Sequence, residues 1–318
     1  MGVYDLLIIG SGPAGLTAAL YAARAGLKTV IFEEGTLGGA IVDTPLVENF
    51  PSYPNGISGA DLSSNLVSQV TQYDVEVKLS SVTRINLPKD NLREVQTTEG
   101  DYLAKAVIIA GGAKPKKLGV PGADKFEGHG LSYCAYCDGN RYEDKEVVII
   151  GGGDAGITEA LYMTRIARRV TVIEILPNLH ASSVLRQRAQ GNPKIEILCS
   201  STVEEITTDG DLRNLRLKNF ESEKFRNLKV SGIIVHIGLA PETKFLQNVI
   251  KFDDLGYVLT NPNMETNIPG IFAAGDIRAG LAKQWVIAAG DGATAAIAAE
   301  KYITLEFGKE GIKGGQKL

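Results

Sequence analysis

Cysteine, histidine and tryptophan are scarce in this sequence, with three, three and one copies in 318 residues. So few cysteines exclude a scaffold built from disulfides. The histidines stand apart at 129, 180 and 236, so a zinc site on the cysteines would lack two ligands and no metal site is expected. An excess of positive charge is missing too. The net charge of −4 leaves no broad cationic face for nucleic acid or anionic lipid. The one basic cluster, Arg165, Arg168 and Arg169, is local and reads as a solvated helix end. No apolar run is long enough to span a membrane, and the start "MGVYDLLIIGSGPAG" lacks the basic opening of a secretory signal. A cytoplasmic location is expected, and the closing "FGKEGIKGGQKL" reads as a frayed tail.

Hydrophobic residues at 44% and charged residues at 22% describe a globular chain, long enough for two domains with their own cores. "YDLLIIGSGPAGLTAALYAARAGLKTVIFEE" reads as strand, glycine turn, helix from Ala14, and strand, with Gly26 stopping the helix. Gly10, Gly12 and Gly15 form G-x-G-x-x-G. Such a turn brings backbone close to a pyrophosphate at a helix N-terminus. Glu33 follows Gly10 by 23 residues, where a carboxylate can accept from ribose hydroxyls. The pattern recurs in "KEVVIIGGGDAGITEALYMTRIARRVTVIEI", with Gly151, Gly153 and Gly156, and with Glu174 again 23 residues on. A single glycine turn is weak evidence. Two in the same setting, each with an acid in register, point to two dinucleotide-type units.

A third segment, "TNIPGIFAAGDIRAGLAKQWVIAAGDGATAA", reads as a short strand ending at Gly275–Asp276, then a small-residue helix from about Lys283. It can be one more strand–helix unit, or the lid of the first glycine unit, with Asp276 against the ribityl hydroxyls of a flavin. The expected fold is therefore α/β, with two Rossmann-like dinucleotide-binding domains, the second inserted in the first. The first, discontinuous domain takes residues 1–114 and 246–318 and binds FAD. The second, 115–245, is nucleotide-binding-like and carries the cysteine pair. The crossings "GAKPKKLGVPG" and "LAPETKF" hold the proline and turn residues of linkers or hinges.

That pair, Cys134 and Cys137 in "SYCAYCDGNRY", has three readings. A metal clip lacks ligands. A staple closing so short a loop gains little, and a reducing compartment would open it. A working dithiol fits better, one sulfur attacking a partner disulfide and the other resolving the mixed species. Asp138 is either its acid–base partner or a turn residue before Gly139. Cys199, in "IEILCSST", reads as a buried residue of a strand.

The order "GSGPAGLTAA", Gly38–Gly39, "VENFP", "SYCAYCDGNRY", "GGGDAG" and "TNIPGIFAAGD" resembles the low-molecular-weight flavin-dependent thioredoxin reductases, over nearly the whole chain. The resemblance implies a homodimeric disulfide reductase with FAD in the first unit. Its cofactor contacts would fall on Gly10, Gly12, Pro13, Ala14, Gly15, Glu33, Glu34, Gly38, Gly39, Asn49 and Gly111, and on Gly275, Asp276, Lys283, Gln284 and Trp285. Cys137 would face the flavin, Cys134 would attack the disulfide of a thioredoxin-like protein, and Asp138 would move the proton. The family alternates between two domain orientations, and the proline-bearing crossings sit where its hinge belongs.

One motif departs from the family. NADPH-using members carry "HRRD" and a later arginine to clasp the 2′-phosphate, where this chain has Glu174, Ile175, Leu176 and His180. A carboxylate repels that phosphate but suits a 2′-hydroxyl, so NADPH is disfavoured. NADH stays open, on a second nucleotide site of Gly151, Gly153, Asp154, Gly156 and Glu174. So does a non-nicotinamide donor such as ferredoxin or a deazaflavin. Trp285 stands where the family has a small residue, and is expected either to stack near the flavin or to pack between helices. Two competing functions are a flavin-dependent ferredoxin–NAD(P) type oxidoreductase with an incidental dithiol, and a non-catalytic flavin redox sensor.

Overall fold

The computed structural model describes residues 2–88, 91–209, 212–246, 249–280 and 282–308; the tail from residue 309 on lies outside the described residues. Its contacts divide the chain into two compact units, residues 1–114 with 240–318, and residues 115–239.

The first unit opens with β1 (Tyr4–Ile9), α1 (Pro13–Arg24) and β2 (Thr29–Glu33), then α2 (Gly59–Val70) and β3 (Val75–Leu79). Three more strands follow: β4 (Val82–Asn86), β5 (Arg93–Thr97) and β6 (Gly100–Ile109). Pro13 opens α1 at a position where its missing N–H costs nothing. The Ser58 hydroxyl caps α2 by accepting from the Asp61 N–H at 3.0 Å. After the crossing strand β7 (Ala113–Pro115), the second unit supplies β8 (Leu131–Ser132), α3 (Ala135–Asp138), β9 (Glu146–Ile150), α4 (Asp154–Met163) and β10 (Arg169–Ile173). It continues through α5 (Ser183–Gln190), β11 (Ile195–Leu198), β12 (Ser201–Asp209), β13 (Leu212–Asn219), β14 (Phe225–Val230) and β15 (Gly232–Val235). The chain returns along β16 (Leu239–Pro241) to β17 (Ile271–Ala273) and α6 (Trp285–Phe307). Where the two crossings run side by side, the Lys116 N–H donates to the Gly238 carbonyl at 2.9 Å.

In the first unit the described strands form one seven-stranded sheet, β3-β2-β1-β6-β5-β4, with β17 also on β6. Strands β1, β2, β3, β6 and β17 are parallel, whereas β4 and β5 add an antiparallel edge. Because side chains alternate along a strand, Leu6 and Ile8 meet α1 and α6 on one face. Leu7 and Ile9 face the opposite core with Phe32, Val107 and Ile271. Both faces are covered, which is why β1 reads as an unbroken apolar run. The second unit repeats this with a five-stranded parallel sheet, β11-β10-β9-β15-β8, and adds an antiparallel sheet of β12, β13 and β14.

Several expectations shift. The small-residue helix begins at Trp285 rather than Lys283, and the strand before it ends at Ala273 rather than at Gly275–Asp276. Cys199 lies one residue beyond β11 and is half-buried, because the strand ends before the core closes over it. Arg168 and Arg169 stand past the end of α4 and pair with Glu146 and Glu196 at 3.2 and 2.9 Å. No described helix is long and apolar enough to cross a membrane.

Candidate active site

The first glycine turn joins β1 to α1. Gly10 has φ +98°, and a Cβ there would strike the Ala110 carbonyl at the end of β6. A Cβ at Gly15 would strike the Gly10 carbonyl, so the third glycine lets α1 pack onto the turn. Gly39 approaches Gly12 so closely that a Cβ on it would lie 2.8 Å from the Gly12 Cα. Beside the turn, Gly38 donates its N–H to the Ser11 carbonyl at 3.0 Å. Glu33, at the end of β2, accepts from the Ser11 N–H and hydroxyl at 2.9 and 2.7 Å and from the Gly35 N–H at 2.8 Å. A carboxylate has about four acceptor positions, so this partly exposed one retains capacity for a ribose hydroxyl. Glu34 points elsewhere, to Lys114 at 3.2 Å. Gly111 is exposed just past β6.

The chain brings the C-terminal segment to this turn. Gly275 lies against Ala14, where an added Cβ would sit 2.9 Å from the Ala14 Cβ. Its N–H donates to Asp291, a buried carboxylate of α6 that also receives Arg278 at 2.5 and 2.8 Å. Asp291 and Arg278 escaped the sequence reading; together they fix the turn that presents Asp276. Burial raises the pKa of Asp276, nearby Lys283 opposes that rise, and no described residue donates a hydrogen bond to its carboxylate. Lys283 donates to the carbonyls of Asp276 and Arg278 at 3.1 and 2.7 Å, and burial lowers its pKa. Asn49 donates to Gln284 at 2.9 Å. The Trp285 ring meets Phe50 edge-on at 4.8 Å, with its indole N–H buried and without a partner among the described residues. A glycine turn on a helix N-terminus, an acceptor-bearing Glu33, an unengaged Asp276 and a donor on Trp285 form a donor and acceptor set that fits FAD.

The second glycine turn copies the backbone of the first. Gly151 has φ +118°, a Cβ on it would strike the His236 carbonyl at the end of β15, and one on Gly156 would strike the Gly151 carbonyl. Its surroundings differ. Glu174 is only 2% exposed, and it accepts from the N–H groups of Gly152 and Leu176 at 2.6 and 2.9 Å. His180 Nδ1 closes over Glu174 at 3.1 Å. A Cβ on Gly153 would stand 2.7 Å from His180 Nε2. Asp154, at the N-terminus of α4, accepts from the Ser182 N–H at 2.6 Å. Ile175 and Leu176 are exposed.

Cys134 and Cys137 are joined as a disulfide across the first turn of α3. Cys137 is exposed and Cys134 half-buried. The Cys137 N–H points at Cys134 Sγ, 3.1 Å away, an arrangement that would favour a thiolate on that sulfur. The Ser132 hydroxyl donates to Asp138 at 2.7 Å and accepts from the Cys134 N–H at 3.2 Å, linking carboxylate to cysteine. Arg141 lies 3.4 Å from the other Asp138 oxygen. Beneath the turn the Ala135 N–H donates to Glu159 at 2.8 Å, and His236 Nε2 lies 2.6 Å from the same oxygen. Ser132, Glu159 and His236 were not anticipated. The signal for Glu159 was an acid on the inner face of an otherwise apolar helix.

A model of the pyridine nucleotide-disulphide oxidoreductase family matches residues 4–292. A thioredoxin reductase of Peptoclostridium acidaminophilum is 40% identical over 96% of this chain and 98% of its own. The chain belongs to the low-molecular-weight flavin-dependent thioredoxin reductases. Solved relatives agree in fold. The Lactococcus lactis thioredoxin reductase superposes with a TM-score of 0.92 at 37% identity, covering 95% of this chain and 99% of that one. The T. acidophilum thioredoxin reductase gives 0.89 at 32%, covering 94% and 98%. Within this family the chain is an enzyme, an FAD-dependent thiol–disulfide oxidoreductase whose redox-active pair is Cys134–Cys137.

Proposed function

We propose that this reductase acts on a thioredoxin-type disulfide, holds FAD in the first unit, and is not reduced by NADPH. The dithiol carries the reading. Cys134, favoured as thiolate by the Cys137 amide, attacks the partner disulfide. One partner sulfur leaves and takes a proton, for which Asp138, tied to Cys134 through Ser132, is the local acid. Cys137 then attacks Cys134 Sγ, releasing the second partner thiol and closing the 134–137 disulfide. Bound flavin, once reduced by the donor, would supply the electron pair that reopens it. Gly10, Gly12, Pro13, Ala14 and Gly15 would hold its pyrophosphate and Glu33 its ribose. Asp276 would meet the ribityl chain, with Gly38, Gly39, Asn49, Gly111, Gly275, Lys283, Gln284 and Trp285 around it.

The dithiol belongs to the second unit and this cradle to the first. His180 against Gly153, and Glu174 sealed beneath that ring at 2% exposure, support a donor other than a nicotinamide, with a low-potential carrier such as ferredoxin or a reduced deazaflavin in its place. Ile175 and Leu176 cannot clasp a 2′-phosphate. Exposed Val286, Ile287, Ile297 and Leu305 on α6 support a homodimer.

Anaerobic titration of the flavin absorbance with NADPH, NADH, reduced ferredoxin and a reduced deazaflavin tests the donor. Prompt bleaching by micromolar NADPH would refute it. For the thiol roles, Cys137→Ser should trap a mixed disulfide between Cys134 and thioredoxin, and Cys134→Ser should not. Trapping by the opposite variant would reverse the assignment.

A further inference from the structure

We propose that Glu159 and His236 are a positioning pair that holds the C-x-x-C turn and sets the reactivity of Cys134 through the charge placed beside it. The inference rests on the dithiol being the working couple and is independent of the electron donor. One carboxylate oxygen joins three elements: Glu159 Oε2, from α4, accepts from the Ala135 N–H at 2.8 Å in α3 and meets His236 Nε2 at 2.6 Å beyond β15. Glu159 is 8% exposed and Ala135, between the two cysteines, is fully buried.

The fold does not need this pair. Counting the same 141-residue offset that relates Gly10 to Gly151, Glu159 corresponds to Ala18, which is fully buried. His236 corresponds to Ala110, since a Cβ on Gly151 would meet its carbonyl as one on Gly10 would meet that of Ala110. Two alanines build the same crevice in the first unit. The second has spent buried polar groups there, which is costly unless they are paired, and has aimed them at the amide that follows Cys134.

The coupling has a definite sign. The Glu159 carboxylate sets negative charge beside the Cys134 turn, which opposes a thiolate there, and His236 Nε2 against the same oxygen offsets it. Other groups face this pair from every side. Tyr136 resists ionisation, through burial first and then Glu159, and its ring lies 4.3 Å from that of Tyr162. Arg165 acts on Tyr136 from beyond α4. Asp138 is held by Ser132 and Arg141.

The test uses flavin-loaded protein reduced by a phosphine and alkylated with iodoacetamide between about pH 5 and pH 9, with Cys134 followed by peptide mass. Glu159→Gln keeps an acceptor for Ala135 but removes the charge, and should alkylate about tenfold faster near pH 6, as a one-unit fall in thiol pKa requires. His236→Gln keeps the carboxylate but takes away the ring that offsets it, and should alkylate more slowly than wild type, a reversal of sign that loss of mere support for the turn would not give. Folded variants with the wild-type profile, or two variants that shift in the same direction, overturn the proposal. A wild-type pair that exchanges with no disulfide would instead sink the functional reading.

Discussion

The two glycine turns share a backbone and differ in what their chains lay upon it. Where the first chain passes its turn it places Gly38 and Gly39; where the second passes, it places Leu179, His180 and Ala181, and the imidazole takes up the space beside Gly153. Glu33 remains partly exposed, whereas Glu174 is sealed under His180. At the strand ends the first unit has Ala110 and the second has His236. The same architecture is thus left open in one unit and filled by side chains in the other. A nucleotide-binding backbone is not a nucleotide site until its neighbours leave room and spare acceptors.

The most forceful way to break this comparison is to put the same charge into both turns. A Cβ on Gly12 finds nothing nearer than the Gly39 Cα at 4.0 Å, so Gly12→Glu is tolerated sterically but sets a carboxylate against the pyrophosphate. Two like charges about 4 Å apart at an intermediate effective dielectric cost about 4 kcal/mol, roughly a thousandfold in FAD affinity. Gly153→Glu must displace His180 and should leave the flavin content at the wild-type level. Absorbance of the purified proteins reads both outcomes. Loss of flavin from the second variant would mean that the filled turn is not independent of the cradle.

A subtler comparison sets Asp276 against Glu174, since among the described residues one carboxylate receives no hydrogen bond and the other receives two backbone amides. Asp276→Asn should weaken FAD binding by about ten- to a hundredfold, the range for losing a hydrogen bond to a charged acceptor. It should also stabilise the flavin-free protein. Because burial raises the Asp276 pKa above its ordinary 3.8, the folded state binds more protons than the unfolded one just above that pH. This group's contribution to stability is therefore complete below 3.8 and is lost as pH rises through the folded value. Melting of the apo protein should show that slope in wild type and lose it in the asparagine variant.

How much of this was legible depended on how local the signal was. Both glycine turns and the C-x-x-C motif are written in a few consecutive residues, and the apolar runs of β1 and β9 follow from strands buried on both faces. Asp291, Arg278, Glu159 and His236 were not legible, because each matters through a partner distant in sequence. An acid in a helix reads as surface until its neighbours are known. The antiparallel strands β4–β5 and β12–β14 left too little pattern because they are partly exposed and polar on one side. One comparison within the chain would have helped. Laying the second unit over the first at 141 residues sets Glu159 on Ala18 and so marks an acid where the fold accepts alanine.

The smallest expected effect comes from trying to reopen the filled turn. His180→Gly removes the ring beside Gly153, the largest single obstruction at that turn. It does not touch Asp154, which keeps its charge at the helix N-terminus where a pyrophosphate would sit. The gain in NADH binding should therefore be less than about tenfold, since one relieved obstruction is worth about a kcal/mol while like charge at the turn persists. Equilibrium binding followed by NADH fluorescence, on protein whose flavin stays oxidised, measures it. A gain of a hundredfold or more would show that His180 alone closes the second unit, and that its carboxylates were ready for a ribose all along.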